Sequence, residues 1–268
     1  MKSIVFLDLD GTFWIYGNVP PSAQEAVRRA QENGHLVLSN SGRSRGGCRD
    51  MSPYGLDGTC FAAGADVELH GEKIFDRPLA LEDAHRLFDA IHALGLNFNA
   101  ECGRCNFLCV QDQPLMDRMK AELDRIGQNE NFLNSPSAED MTEADFRDVY
   151  KFSIFTSGPD AAREAVASCQ VPGYHWTQMG HAAEITQESI TKAGALETVR
   201  SAVQARTGEA WRTVALGDSS NDLPMLRAAD FSVAMGTGTE EAKAASTWVT
   251  KRIDENGLYH AFEHLGLI

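Results

Sequence analysis

Ile4-Val5-Phe6-Leu7 is an uninterrupted apolar run that stops abruptly at Asp8-Leu9-Asp10-Gly11-Thr12. A short run that is apolar at every position, rather than at every second one, suits a strand covered on both faces. A helix follows. Its start is signalled by Pro20-Pro21-Ser22 with Glu25 three residues after Ser22, a capping-box pattern; Ala23, Ala26, Val27 and Ala30 share one face, and Gly34 stops it. A second strand, His35 to Ser39, then runs out at Asn40-Ser41-Gly42-Arg43. Strand, helix and strand in so short a stretch make a βαβ unit, which implies a parallel sheet with functional loops at the carboxyl ends of its strands.

A third strand near Cys60-Phe61-Ala62 and a hairpin through Val67 and Ile74 precede a change of rhythm. Leu81, Ala84, Leu87, Phe88, Ile91 and Leu94 recur at helical spacing, followed by strand-like runs at 96–100 and 107–110, a helix over 114–126 and a polar loop to Ser137. The charged stretch 138–148 reads as a solvated helix. It leads to a strand over 150–156, a helix over 160–168 and strands near 174–178 and 182–186. From Thr191 the βα alternation returns: a long helix to Arg206, strand 213–216, the loop Gly217-Asp218-Ser219-Ser220-Asn221-Asp222, a helix, strand 231–234 and a C-terminal helix. The pattern implies an α/β protein: a Rossmann-like parallel-sheet core of residues 1–80 and 188–268, with an inserted α+β cap domain of residues 81–187 closing over the crevice.

Composition narrows the function classes. The 268 residues are 43% hydrophobic and 23% charged, as in ordinary globular chains. Lys and Arg number 24 against 38 Asp and Glu, a net charge of −14, and so negative a chain disfavours nucleic acid and anionic lipid as partners. No stretch approaches the ~20 apolar residues of a membrane span. Six cysteines without a secretion signal suit reduced thiols and a cytoplasmic location.

Asp8 and Asp10 lie where the first strand ends, the edge at which open parallel sheets bind ligands. Gly11 lets the chain turn sharply there. Asp218 lies just past another strand, and Asp222 falls in the first turn of the next helix. Four carboxylates facing one crevice repel one another unless protonated or bound to a cation, and hard oxygen donors point to Mg²⁺. Lys192 stands in the first turn of its helix, behind Ser189 and Thr191 as caps, where the helix dipole disfavours a cation. A lysine so placed serves to bind phosphate and offset the carboxylates. Ser41, with Gly42 after it, can offer its hydroxyl and neighbouring N–H groups to phosphate oxygens.

Asp8-x-Asp10-Gly11-Thr12, Ser41-Gly42-Arg43, Lys192 and Gly217-Asp218-x-x-Asn221-Asp222 resemble, in order, the four motifs of the haloacid dehalogenase superfamily. The insert resembles the larger α/β cap of the Cof-type phosphatases, and Ser232-Val233-Ala234-Met235-Gly236 with Lys243 downstream is similar to that branch. The resemblance implies a phosphoric monoester hydrolase. Asp8 would be the nucleophile forming an aspartyl-phosphate, and Asp10 the acid that protonates the leaving oxygen and then activates water. Asp8, the main-chain carbonyl of Asp10, and Asp218 would hold Mg²⁺, with Asp222 helping directly, through water or by orienting Lys192, and with Asn221 in support. Ser41, Gly42 and Lys192 would bind the transferring phosphoryl group. The acid at Asp10 favours ester hydrolysis over dehalogenase or phosphonatase chemistry. The chain departs from the branch in three places: Ser41 stands where Thr is commoner, Ala63-Gly64-Ala65 replaces Asn-Gly-Ala, and Phe13-Trp14 replaces aliphatic residues.

The expected substrate is a small phosphomonoester, by family habit a sugar phosphate. Alternatives are a phosphomutase or phosphotransferase, and a non-catalytic phospholigand sensor, which would need neither Asp8 nor Asp10. Arg43, Arg45, His181 and Glu184 are candidate substrate contacts. Phe13 and Trp14 suggest core packing or stacking on a sugar or base. Cys102, Cys105 and Cys109, with His92, Cys169 or His175 as fourth ligand, form a weaker zinc candidate, since the second half of a zinc motif is missing.

Overall fold

A computed structural model of the chain describes residues 1–15, 17–125, 134–168, 171–179 and 182–268. These divide into two compact units, one of Met1–Gly42, Arg49–Asp76 and Thr191–Ile268, the other of Arg43–Cys48 and Arg77–Ile190.

The first unit opens with strand β1 (Ser3–Leu7), helix α1 (Pro21–Glu32), strand β2 (Leu36–Asn40) and β3 (Gly58–Phe61), and continues into the hairpin β4 (Asp66–Leu69) and β5 (Glu72–Asp76). All five residues of β1 are fully buried, as a central parallel strand requires. The capping box expected at Ser22 and Glu25 is absent. Pro20 is the cap residue and makes no side-chain bond, while Glu25 pairs with Arg28 on the exposed face, because proline at the first helical position already suits the fixed φ of the turn.

The second unit carries α2 (Leu81–Ala93), β6 (Asn97–Cys102), β7 (Phe107–Cys109), α3 (Gln113–Arg125), α4 (Glu143–Phe146), β8 (Val149–Phe155), α5 (Pro159–Ser168), β9 (Tyr174–Met179) and β10 (Ala182–Gln187). Its sheet is antiparallel, in the order β7-β6-β8-β10-β9. Phe98, Ala100, Phe152, Ile154, Ala183 and Ile185 from alternate positions of three strands form its core with Ala84, Leu87 and Ile91 of α2. The expected helix over 138–148 is broken into a 3₁₀ turn, Ala138–Asp140, and the short α4. Ala138 and Phe146 are drawn into the core, and Asp145 caps its own turn at Thr142. Arg43–Cys48 is bonded into this unit, Gly46 N–H donating to the Cys102 carbonyl at 3.0 Å and Ser44 Oγ to Asn106 at 2.8 Å.

The chain returns to the first unit with α6 (Lys192–Thr207), β11 (Arg212–Gly217), α7 (Leu223–Ala228), β12 (Phe231–Ala234), α8 (Glu240–Ala245), β13 (Trp248–Val249) and α9 (Gly257–His264). The expected single C-terminal helix is therefore two helices with an edge strand between them. Thr239 caps α8, and Asn256 in the left-handed region opens α9. The completed sheet has the order β13-β12-β11-β1-β2-β3-β4-β5, parallel from β13 to β3 and antiparallel beyond. Ile4 and Phe6 pack with Leu196 and Val199 of α6 on one side of the sheet.

Past β3 the chain makes a tight turn in which Ala63 sits at φ 56°, ψ 23°, and its N–H donates to the Ser41 carbonyl at 2.9 Å. This left-handed conformation is strained for alanine and tolerated by asparagine. Ala63→Asn is therefore expected to stabilise the protein by about 0.5–1 kcal/mol, read as a higher denaturant midpoint with unchanged slope.

Candidate active site

The carboxyl ends of β1, β2 and β11, adjacent in the sheet, deliver Asp8, Ser41 and Asp218 from strands locked in register, Leu7 opposite Ser39 and Leu216. Asp8 is held by its own backbone, its N–H donating to the Leu216 carbonyl at 3.0 Å. Lys192 begins α6 behind Thr191, whose hydroxyl accepts from Gly194 N–H at 3.1 Å. Its side chain is directed into the protein and the residue is only 2% exposed. The ammonium donates to Asp8 Oδ1 at 2.5 Å and to Asp222 Oδ1 at 2.6 Å. Burial alone would push this lysine down, but the two carboxylates outweigh it and hold the ammonium charged, above its ordinary range.

Asp222 is fully buried. It lies in a 3₁₀ turn, Ser220–Asp222, one step ahead of α7 rather than within that helix. Its Oδ2 accepts from the N–H groups of Asp218 and Ser219 at 2.9 and 3.0 Å, so one carboxylate both braces the loop and orients the lysine. Asp218 is partly buried and accepts from the Thr12 hydroxyl at 3.4 Å. Burial first, and the Asp222 charge second, push its carboxyl up to about 6. Asp8 is pushed the same way by burial and by Asp222, against the pull of Lys192. One lysine does not neutralise this set of carboxylates.

Gly11 is sterically required. At φ 85°, a Cβ there would stand 2.5 Å from Asp218 Oδ2. Gly217 is similarly constrained, since its Cβ would meet the Asp222 carboxylate at 2.7 Å. Asp10 is exposed, and its Oδ1 accepts from the Trp14 indole N–H at 2.9 Å. Ser41 is buried, its N–H donating to the Cys60 carbonyl at 2.8 Å, and Gly42 leaves room beside Asn221, whose Nδ2 would lie 3.8 Å from an added Cβ. Asn221 is exposed and its Oδ1 accepts from Ser219 Oγ.

The structure thus brings Asp8, Lys192, Asp218 and Asp222 together, with Asp10 and Ser41 carried on the same strand ends. Arg43, Arg45 and Glu184 belong to the second unit, where Glu184 accepts from the buried Lys151 ammonium at 2.6 Å. His181 and Cys169 lie outside the described residues. Two readings that were open are narrowed, core packing of Phe13 being the one that holds. Phe13 and Trp14 are buried, at 0% and 2% exposure, so neither ring stacks on a ligand: both pack against Tyr54. Cys102, Cys105 and Cys109 do not gather around one point. The antiparallel register sets Cys109 opposite Phe98, four residues along β6 from Cys102, or about 13 Å at the rise of a strand. Cys109 instead lies with His92 and Glu139.

One residue that sequence reasoning passed over is Asn40. Its side-chain amide donates to the Lys192 main-chain carbonyl at 2.9 Å and reaches Met225 Sδ at 3.6 Å, tying the end of β2 to the start of α6. A polar residue at the end of an apolar strand was its only signal.

Among the described residues, carboxylate oxygens of Asp8, Asp218 and Asp222 lie within 4.8 Å of one another. An excess of hard, negative oxygen donors at a strand-end crevice suits a small divalent cation. The class this fold and site define is that of α/β proteins with a carboxylate cluster at the strand ends of a parallel sheet. The model of the haloacid dehalogenase-like hydrolases matches residues 5–262, and the chain belongs to that family. It is 28% identical over 99% of its length, and 98% of the relative's, to the 5-amino-6-(5-phospho-D-ribitylamino)uracil phosphatase YwtE of Bacillus subtilis. A haloacid dehalogenase-like hydrolase from B. subtilis superposes with a TM-score of 0.81 at 22% identity, covering 98% of this chain and 100% of that one. The subclass IIB sugar phosphatase BT4131 superposes with a TM-score of 0.78 at 23% identity over all of both chains. The protein is a haloacid dehalogenase-like phosphatase with Cof-type architecture.

Removing the buried cation should expose the repulsion it offsets. Lys192→Met leaves Asp8 and Asp222 buried without it and removes the pull that holds the Asp8 carboxyl down, so the stability lost must grow as pH rises. Urea unfolding without divalent ions should show a deficit of about 3–5 kcal/mol at pH 8 and a smaller one at pH 5. A deficit independent of pH would contradict the electrostatic account.

Proposed function

We propose that the protein hydrolyses small phosphomonoesters, with Mg²⁺, through an aspartyl-phosphate on Asp8. The observation that supports this most directly is the clamp of Lys192 on Asp8 and Asp222. The bond from Lys192 occupies Asp8 Oδ1 and leaves the second carboxylate oxygen to attack phosphorus. As that oxygen–phosphorus bond forms, the bond to the ester oxygen breaks, and Asp10 donates a proton to the leaving oxygen. Water then attacks the phosphoryl group, giving its proton to Asp10 and releasing phosphate and free Asp8. Lys192, with the Ser41 hydroxyl and the N–H groups around Gly42, offsets charge on the transferring group, the main task left to a protein in this reaction. Asp8, Asp218 and the main-chain carbonyl of Asp10 would hold Mg²⁺, which supplies further charge neutralisation at the phosphoryl oxygens. Asp222, with both oxygens engaged by lysine and backbone, serves to orient Lys192.

A sugar phosphate is the substrate class we favour. In the second unit Glu101, Lys151, Ser153 and Glu184 form a linked polar group on the sheet face opposite the apolar core. Lys151 is 3.4 Å from Glu101 and 2.6 Å from Glu184, and Ser153 donates to Glu101 at 2.6 Å. Asn99, on the same face, has a buried Oδ1 with no hydrogen-bond partner. Such an acceptor-rich set suits a neutral, hydroxyl-bearing ligand rather than a second anion. Arg43 and Arg45 are the further candidates for substrate contact.

Phosphate release from p-nitrophenyl phosphate and a panel of sugar, nucleotide and cofactor phosphates should occur with Mg²⁺ and cease with chelator. Asp8→Asn should abolish turnover while circular dichroism stays unchanged. Retained turnover would sink the covalent mechanism, and isomerised product without free phosphate would indicate a mutase.

Metal and proton should also compete at Asp218. Because burial and the Asp222 charge push that carboxyl up to about 6, its repulsion weakens the metal-free protein as pH rises through this value. Mg²⁺ should therefore raise Tm by more at pH 8 than at pH 5, and an equal rise at both would exclude Asp218 as a metal ligand.

A further inference from the structure

Three elements of the second unit bring unlike donors together. His92 stands in the last turn of α2, Cys109 at the end of β7 and Glu139 in the 3₁₀ turn Ala138–Asp140. One donor atom from each, a ring nitrogen, the sulfur and a carboxylate oxygen, all lie within 4.8 Å of one another. Backbone contacts fix this meeting. Leu108 N–H donates to the Pro136 carbonyl at 2.9 Å, which joins β7 to the chain just ahead of the turn, and Ser137 Oγ accepts from Glu139 N–H at 3.2 Å. Gln111, two residues beyond Cys109, donates its side-chain amide to the His92 and Leu96 carbonyls at 3.0 and 3.1 Å, tying the end of β7 to the end of α2. The imidazole lies nearly parallel to the Phe88 ring one turn earlier, with centroids 6.0 Å apart. Cys109 is 2% exposed, whereas the side chains of His92 and Glu139 are 42% and 68% exposed. The sulfur therefore sits innermost and the other two donors face solvent.

We propose that His92, Cys109 and Glu139 form a zinc site, with water or an incoming ligand in the fourth position. The proposal concerns the second unit alone and does not rest on the reading of the carboxylate cluster in the first. His92 Nε2 and Glu139 Oε1 are 3.3 Å apart, which matches the edge of about 3.3 Å between nitrogen and oxygen in a tetrahedron with zinc bonds of about 2.0–2.1 Å. A sulfur at about 2.3 Å from the ion needs an edge of about 3.6 Å to nitrogen, so rotations of the two exposed side chains close the remaining gap. The donor types select the metal. A thiolate and an imidazole favour zinc over Mg²⁺, which prefers oxygen donors alone. One thiolate, one carboxylate and one neutral imidazole also balance the charge of a divalent ion, as a partly buried site requires. On binding, the Cys109 thiol releases its proton to solvent as the sulfur–zinc bond forms, with no change of oxidation state. The bound ion would staple α2, β7 and the 3₁₀ turn to one another.

Cobalt(II), which accepts the same donors and reports thiolate ligation by its absorption, is the probe. Titrated into the reduced protein with Mg²⁺ in excess, one equivalent should produce a sulfur-to-cobalt charge-transfer band that one equivalent of Zn²⁺ then abolishes. Cys109→Ser should remove the band. His92→Ala and Glu139→Gln should each weaken cobalt affinity about tenfold or more, because even groups that only support a metal's ligands change affinity by about 10–100-fold. The absence of any band overturns the proposal. So does a band that survives in Cys109→Ser or disappears in Cys48→Ser or Cys105→Ser, since cobalt would then be held by another thiol. Should Cys109→Ser not fold, the two exposed positions decide, and unchanged affinity in either His92→Ala or Glu139→Gln overturns the three-residue site.

Discussion

A single buried ammonium holds the carboxyl-terminal edge of the first unit's sheet together. Lys192 reaches from the first residue of α6 to Asp8 at the end of β1 and to Asp222 in the turn after β11. Neighbouring carboxylates at one sheet edge repel, and burial magnifies the repulsion by lowering the local dielectric. A hydrophobic residue at position 192 could fill space but could not hold two acids side by side. Asn40 completes the arrangement by bonding the lysine's own carbonyl, so that β1, β2, the loop after β11 and α6 converge on one charge. The same ammonium that makes the fold tolerate these acids also fixes the position of Asp8.

Packing around this charge leaves little freedom. Asp218 approaches the first loop so closely that only glycine fits at position 11, and Asp222 sits so close to β11 that position 217 must also lack a side chain. Asp222 has both oxygens committed, to the lysine and to two backbone N–H groups. Asp218, by contrast, keeps partial exposure and a weak bond to Thr12, and its carboxyl is the one pushed toward neutrality without full burial. Four acids that look alike along the chain thus divide by environment: Asp8 beside a buried ammonium, Asp10 beside an indole, Asp218 partly exposed and Asp222 bracing a loop.

Much of this was legible from the chain. The uninterrupted run of β1 announced a parallel sheet because burial on both faces leaves no polar positions. The misplaced charge of Lys192 at a helix start marked it as functional because local electrostatics opposes it there. Other features were not legible. The Ser22-x-x-Glu25 pattern satisfies the capping-box spacing, yet Pro20 and Pro21 had already set the helix entry. The charged stretch 138–148 looked solvated because Ala138 and Phe146 are too few to reveal a buried face. Cys102, Cys105 and Cys109 looked clustered because sequence spacing ignores register, and register moves Cys109 four residues along the neighbouring strand.

The amino-acid sequence by itself determined the α/β class, the order of the motifs and the identity of the acids and the lysine, since these follow from periodicity and from residue chemistry at strand and helix ends. The tertiary structure alone decided what each group touches. That Asp222 accepts from Lys192, that the Trp14 indole donates to Asp10 and that Asn40 bonds the Lys192 carbonyl are matters of contacts between residues from 4 to 152 positions apart. Local propensity carries no information about such contacts, because side chains reach their partners only after strand order and register have been set by burial of the sheet.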